Sequence, residues 1–169
     1  MLVHSILRTV RLWLAPALTL ATFLNLAPAN AQPAQGPARA KMILDGCRIA
    51  GGLCVQLGCD DMATPAGLAQ TGRFLVQVLG AQTERVAQAR EKIHSLGLYG
   101  LVSVDKMGTA DRLPYAENLV NLVVIENRSA PAIPLAEVVR VLAPGGVVIL
   151  PEGWTTKAAL QEAGLGALW

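Results

Sequence analysis

The sequence has few of the residues on which nucleic-acid binding, metal binding or hydrolytic catalysis usually depends. It contains two Phe, two Tyr, three Cys and two His in 169 residues, and its Lys and Arg residues do not cluster with aromatic ones. A nucleic-acid-binding surface therefore has little support. No Ser-His-Asp order, HExxH, GxxxxGK[ST] or GxGxxG occurs, so nothing supports a hydrolase, a metalloprotease, a P-loop kinase or a nicotinamide-binding enzyme.

The three cysteines do not form a recognisable metal-binding pattern. Cys47, Cys54 and Cys59 are odd in number and no histidine lies among them, whereas a zinc site needs a fourth ligand. Two of them could form a disulfide in an exported protein. Cys54 and Cys59 lie along and just after one predicted strand, however, where single burial is more usual. We expect small core residues and no metal site.

The N-terminus predicts a cleaved signal peptide over residues 1–31. Arg8 and Arg11 precede a mostly apolar run, Leu12 to Leu26, and Ala29-Asn30-Ala31 has the small-x-small pattern of a cleavage site. A membrane anchor is the weaker alternative, because the run is shorter than the ~20 residues of a span and contains Pro16. We therefore expect an exported protein, periplasmic or extracellular, with no membrane segment after cleavage.

Removal of the leader changes the charge balance and leaves one domain. The chain has 14 Lys and Arg against 12 Asp and Glu, and the leader holds two of the basic residues and none of the acidic ones. The mature part is therefore neutral, so the basic character belongs to the leader. A Pro/Ala/Gly/Gln segment predicts a linker over 32–38. The rest, 39–169, is long enough for one domain with a core.

The domain alternates between short apolar runs and amphipathic segments. Helices are predicted from about 39 to Ala50, then over Thr64 to Gln70, Glu84 to Leu96 and Pro134 to Leu142, with Thr64 as an N-cap. Strands are predicted over Leu53 to Gly58, Phe74 to Leu79, Leu101 to Val104, Asn118 to Glu126 and Gly146 to Leu150. This alternation predicts an α/β fold: a Rossmann-like, open, mostly parallel sheet with helices on both faces. A ligand would bind at the carboxyl ends of the strands.

Four segments in this order resemble the class I S-adenosylmethionine-dependent methyltransferases, of the methyltransferase type 11 kind. They are VQLGCDD, ERVAQAREKIHSLGL, DRLPYAENLVNLVV and EVVRVLAPGGVVIL, and they cover roughly Leu53 to Leu150. Only Gly153 to Trp169 follows the last predicted strand, whereas the family's sheet continues with two more strands. The resemblance therefore implies a C-terminally truncated class I methyltransferase fold. The chain is also similar to a region that precedes a quinoprotein-like β-propeller in some exported bacterial proteins, which implies a downstream β-propeller in the same polypeptide.

The resemblance implies S-adenosylmethionine as the cofactor, bound where the first four strands end. The positions it points to are Gly58, Cys59, Asp60, Gly80, Ala81, Asp105, Lys106 and Glu126, with Asn127 beside the last of these. It assigns no catalytic residue. Asp105 or Asp111 would face adenine, and either could equally be a solvated loop acid. His94 is expected to be a surface residue, and Pro144-Gly145-Gly146 a structural turn.

The sequence departs from the family where the cofactor is held. Gln56 replaces an acid, Asp60 and Met62 replace glycines of the first loop, and Gly80 stands where an acid should bind the ribose hydroxyls. Glycine supplies no charge-assisted hydrogen bond, and Glu84 is more suited to stabilising its helix N-terminus. Two hypotheses remain open. One is an exported methyltransferase with an unknown acceptor, and the other is a non-catalytic methyltransferase-like binding or scaffold module of a larger exported protein.

Overall fold

A computed structural model describes residues 35–47, 49–109, 111–126, 130 and 132–165. The predicted signal peptide, residues 32–34 of the predicted linker and Asn127 lie outside these ranges. The elements along the chain are α1 (Gln35–Gly46), β1 (Gly52–Leu57), α2 (Ala63–Gln70), β2 (Phe74–Gly80), α3 (Thr83–Ser95), β3 (Val102–Lys106), β4 (Val120–Ile125), α4 (Leu135–Val141), β5 (Leu142–Ile149) and α5 (Lys157–Glu162).

The five strands form one sheet in the order β3-β2-β1-β4-β5, and all neighbouring strands are parallel. The predicted Rossmann-like α/β fold is therefore confirmed. The order reverses between β1 and β4, so the carboxyl ends of these two strands lie side by side. Such a reversal is where open α/β sheets usually bind ligands.

Helices lie on both faces of the sheet, but they cover the two faces unequally. One core packs α1, α2 and α3 against inward residues such as Val76, Val102 and Leu122. The other packs α4 against Val55, Val123 and Leu142. The same core contains Leu79 of β2 together with Met107 and Leu113, so the segment between β3 and β4 covers this face at the end of β2. Within the described residues, no helix connects β3 to β4.

A row of leucines marks the uncovered part of the sheet. Leu53 on β1 is the register partner of Leu75 on β2. The β2–β3 register places Leu101, which precedes β3, beside Leu75. Leu75 is 55% exposed and Leu101 is 47% exposed. The sequence predicted a sheet covered on both faces, and the structure departs from this at Leu75 and Leu101, where β2 begins and just before β3.

Several element boundaries differ from those predicted. Helix α1 begins at Gln35, so residues 35–38 of the predicted linker are helical, and it ends at Gly46 rather than Ala50. Strand β5 begins directly after α4 at Leu142, so the predicted Pro-Gly-Gly turn is an irregularity inside the strand. Gly145 supplies the positive φ of 76° that this irregularity requires.

The three cysteines are free thiols, and two of them are core residues. Cys47 and Cys54 are buried in the core beneath α1 and α2, and Cys59 is half-buried. Burial raises the pKa of Cys54 to about 12, so this thiol is not a nucleophile at neutral pH. No described helix is long and apolar enough to cross a membrane. The described residues contain no group of three potential metal ligands.

Candidate functional site

The candidate site lies where β1 and β4 end, and its floor is the loop Gly58–Met62, called the first loop below. The Gly58 N–H donates to the Leu79 carbonyl at 2.9 Å, and the Glu126 N–H donates to the Leu57 carbonyl at 3.1 Å. Gly58 has a φ of 106°, a conformation that favours glycine. A Cβ at this position would lie 2.6 Å from Glu126 Oε2. The glycine therefore makes room for a side chain of the same protein.

Glu126 binds the first loop through both of its carboxyl oxygens. The Asp60 N–H donates to Oε2 at 3.0 Å, and the Asp61 N–H donates to Oε1. Two successive backbone N–H groups of this kind form an anion-binding concavity. In this chain the group bound there is the Glu126 carboxyl group itself, so these two donors are already used.

The electrostatics around Glu126 are unfavourable to its charge. Burial, and to a lesser extent the charge of Asp61, raise the pKa of Glu126 to about 7, although the bond from the Asp61 N–H and the charges of Arg39 and Arg85 oppose the shift. Each arginine has a nearer partner. Arg39 lies 3.8 Å from Asp61, and Arg85 pairs with Asp60.

Gln56 holds the first loop from beneath. Its side chain is 1% exposed, and Nε2 donates to the Asp61 carbonyl at 2.8 Å and to the Gly58 carbonyl at 3.3 Å. Sequence reasoning treated Gln56 only as a lost acid and missed this role. The signal was present, since an amide inside an otherwise apolar strand must find hydrogen-bond partners.

Asp61 caps α2 with its side chain from the residue before the N-cap position, Met62. Its Oδ1 accepts from the Ala63 N–H at 2.8 Å, and its Oδ2 accepts from the Thr64 hydroxyl at 2.6 Å. The predicted N-cap, Thr64, is therefore wrong: Thr64 lies inside the helix and Asp61 supplies the capping oxygen. Asp61 is thus a structural residue, which removes it from the groups free to meet a ligand.

At the end of β2, Gly80 is a packing residue. A Cβ here would lie 2.7 Å from Cys59 Sγ and 2.7 Å from Val86 Cγ2. These contacts are closer than real Cβ atoms tolerate, so Cys59 or Val86 would have to move before the carboxylate that the family places there could fit. The Cys59 side chain thus occupies space beside Gly80 that an acid at this position would need.

The space between the ends of β1 and β2 is small. A cavity of about 50 Å³ is lined by Gly58, Cys59, Asp60, Ala81, Gln82 and Arg85. A water molecule takes ~30 Å³ of liquid volume, and ligand pockets usually measure ~300 Å³ or more. This cavity is therefore smaller than the usual ligand pocket.

Asp105 and Lys106, at the end of β3, are bound to neighbouring side chains. Asp105 Oδ1 accepts from Arg90 Nη2 at 2.8 Å, and its Oδ2 accepts from Gln77 Nε2 at 3.2 Å. Lys106 Nζ donates to Thr83 Oγ1 at 2.9 Å. Lys106 is also the register partner of Gly80. These two residues therefore join β3 to α3 and to β2.

The segment Leu113-Pro114-Tyr115 is tied to α4 by an ion pair. Glu137 Oε1 accepts from Arg140 Nη2 at 2.6 Å and from the Leu113 N–H at 2.7 Å, and Arg140 Nη2 donates to the Tyr115 carbonyl at 3.0 Å. The hydrogen bonds from Arg140 and Leu113 lower the pKa of Glu137 to about 2. This segment, which belongs to one of the family-like stretches of the sequence, therefore makes a structural contact with α4.

The structure brings together some of the predicted residues and separates others. Gly58, Cys59, Asp60, Ala81 and Glu126 surround the first loop, with Gly80 beneath Cys59. Asp105 and Lys106 belong to the network on β3 and α3. Asp111 and His94 are exposed, as expected for a loop acid and a surface residue. Whether any of these residues contacts a cofactor stays a prediction.

Comparison with known proteins gives structural neighbours but no close relative. No family model and no curated protein sequence matches the chain. Its solved neighbours include a protein assigned as an S-adenosyl-L-methionine-dependent methyltransferase from Methanococcus maripaludis, with 21% identity and a TM-score of 0.61 over 76% of this chain and 60% of that one. A methyltransferase from Aquifex aeolicus has 19% identity and a TM-score of 0.53 over 76% and 87%.

A third neighbour is named for a different reaction. It is the [4+2]-cyclase SpnF, with 23% identity and a TM-score of 0.54 over 66% of this chain and 43% of that one. The chain thus spans 60% of the first methyltransferase and less than half of the cyclase. At these identities the likeness is one of fold. The chain has the Rossmann-like fold of the S-adenosylmethionine-dependent methyltransferases.

Proposed function

We propose that this chain is a non-catalytic methyltransferase-like module of an exported protein, acting as a binding or scaffold unit. The observation that carries the proposal is the Glu126 carboxyl group on the Asp60 and Asp61 N–H groups. A cofactor placed on the first loop would have to displace it. It would also meet Asp60, which lines the cavity beside the first loop.

The end of β2 supports the same proposal. The family needs a carboxylate there for the ribose, and a side chain at Gly80 would collide with Cys59 and Val86. The first acid after Gly80 is Glu84, which lies in the first turn of α3, where a negative charge stabilises the helix. The residues present therefore do not fit S-adenosylmethionine in the family's binding mode.

The fold itself does not require methyl transfer, since function depends on the site rather than on the architecture. A neighbour named as a cyclase illustrates this point. Export is part of the proposal and is supported by the signal-peptide pattern of residues 1–31. The resemblance further supports a β-propeller later in the same polypeptide as the partner of this module.

The second candidate is an S-adenosylmethionine-dependent methyltransferase with an unknown acceptor. It is favoured by one observation: Gly58 keeps the positive φ of a ligand-binding turn at the reversal of strand order. This function would require Glu126 to leave the first loop and the ribose to be held by a group other than the residue at position 80.

Calorimetric titration of S-adenosylhomocysteine into the protein starting at Gln32 tests the proposal. We expect no heat of binding and no thermal shift at millimolar ligand in a folded sample. Micromolar binding that Asp105→Ala weakens and His94→Ala leaves unchanged would instead support the enzyme. The His94 variant is the matched control, because His94 is an exposed residue of the same region, on α3.

A further inference from the structure

Strand β3 forms one edge of the five-stranded sheet, with β2 as its neighbour on the inner side. Alternate residues of β3 face β2, and they follow Leu101, whose carbonyl accepts from the Val76 N–H at 2.9 Å. The backbone N–H and carbonyl groups of Val102 and Val104 therefore point outward, away from β2. Outward groups of this kind are a template for pairing with another strand.

The chain binds two of these outward groups itself. The Leu98 carbonyl, in the turn that enters β3, accepts from the Val102 N–H at 2.9 Å. Farther along the strand, Arg90 reaches over from α3, and its Nε donates to the Val104 carbonyl at 2.6 Å. A strand added to this edge would compete with both contacts for the same backbone groups.

A second contact fixes Arg90 across the edge. Its Nη2 donates to Asp105 Oδ1 at 2.8 Å, so the guanidinium group binds a backbone acceptor and a side-chain acceptor of β3 together. Arginine can do this because its donors form one rigid fork. The side chains of the pair are 54% and 48% exposed, so the ion pair itself adds little to stability. A charged group held over an edge strand does, however, oppose strand addition.

We propose that Arg90 closes the outer edge of β3 to a second copy of this chain, and thereby prevents the edge-to-edge pairing of two β3 strands. The β-branched residues Val102 and Val104 favour such pairing. It is also favoured by Leu101, which is 47% exposed at the start of the same edge. Two identical edges can pair about a two-fold axis, which gives a closed dimer. The inference is independent of whether the candidate site binds a cofactor.

Sedimentation equilibrium of the protein starting at Gln32 measures the self-association. Arg90→Ala removes both contacts with β3 and keeps a good helix former on α3, and circular dichroism checks that the variant is folded. We expect it to self-associate at least tenfold more tightly than wild type, which corresponds to ~1.4 kcal/mol. Lys92→Ala is the matched control, because it removes an exposed cation from the same helix; it should behave as wild type does.

Hydrogen exchange locates the contact in the associated form. The Val104 N–H points outward, so its exchange should slow by about tenfold or more as Arg90→Ala associates. The Ser103 N–H faces β2 and should change less. A folded Arg90→Ala variant that associates no more tightly than wild type would overturn the proposal. Association that leaves exchange at Val104 unchanged would also overturn it, because the copies would then meet elsewhere.

Discussion

Substitution of Gly80 tests whether packing against Cys59 and Val86 excludes the family's ribose-binding acid from this position. An added Cβ would lie 2.7 Å from both Cys59 Sγ and Val86 Cγ2. The neighbours are a loop side chain and a residue of α3, and Val86 is itself buried. Overpacking of this kind costs ~1–3 kcal/mol, and we expect about 2 kcal/mol for Gly80→Ala. Gly80→Asp should cost more, because it adds a partly buried carboxylate.

Urea unfolding followed by circular dichroism measures the free energy of unfolding of each variant. Gly108→Asp is the matched control, since a Cβ at Gly108 meets no atom within 4 Å. It should change stability by less than ~0.5 kcal/mol. Adding Cys59→Ala should recover ~1 kcal/mol of the loss in Gly80→Ala, because it removes one of the two close contacts. A Gly80→Asp variant as stable as Gly108→Asp would refute the reasoning.

Three further predictions concern the supports of the site, each measured by unfolding in urea. Gln56→Leu should cost ~1–3 kcal/mol, because it leaves the carbonyl groups of the first loop without their buried partner. Asp61→Ala should cost ~1 kcal/mol through loss of the α2 cap, and Asp61→Asn should recover most of it. Arg140 lowers the pKa of Glu137 to about 2. The contribution of Glu137 to the free energy of unfolding is therefore present above about pH 4.5 and is lost as the pH falls towards 2. In Glu137→Gln the free energy of unfolding should fall less between about pH 4.5 and about pH 2. An unchanged fall would contradict the pairing of Glu137 with Arg140.

The fold could be predicted because it depends on local patterns. Apolar β-branched runs alternating with amphipathic segments determine a parallel sheet with crossover helices, and all five predicted strands occur. The ends of helices were less predictable where two nearby residues could each cap the same helix. Asp61 and Thr64 are both suitable caps for α2, and only the three-dimensional position of the first loop decides for Asp61.

The candidate site was predictable only in part. The sequence identified Gly58 and Glu126 as neighbours at the strand ends, because parallel strands end at the same edge of the sheet. It could not show that Glu126 binds the first loop, since that depends on a side-chain conformation across 65 residues. It also could not show why Gly80 is glycine, because the reason is the Cys59 side chain beside it.

The uneven covering of the sheet gives the domain a gradient of local stability. Over β1 and β4 the sheet lies between helices on both faces, whereas Leu75 and Leu101, at the start of β2 and just before β3, are exposed on the face opposite α2 and α3. Strand β3 is also an edge strand. We therefore expect local opening to begin there before it reaches the central strands β1 and β4. Glu126 follows the central strand β4, so its contact with the first loop lies in the part of the domain that we expect to open last.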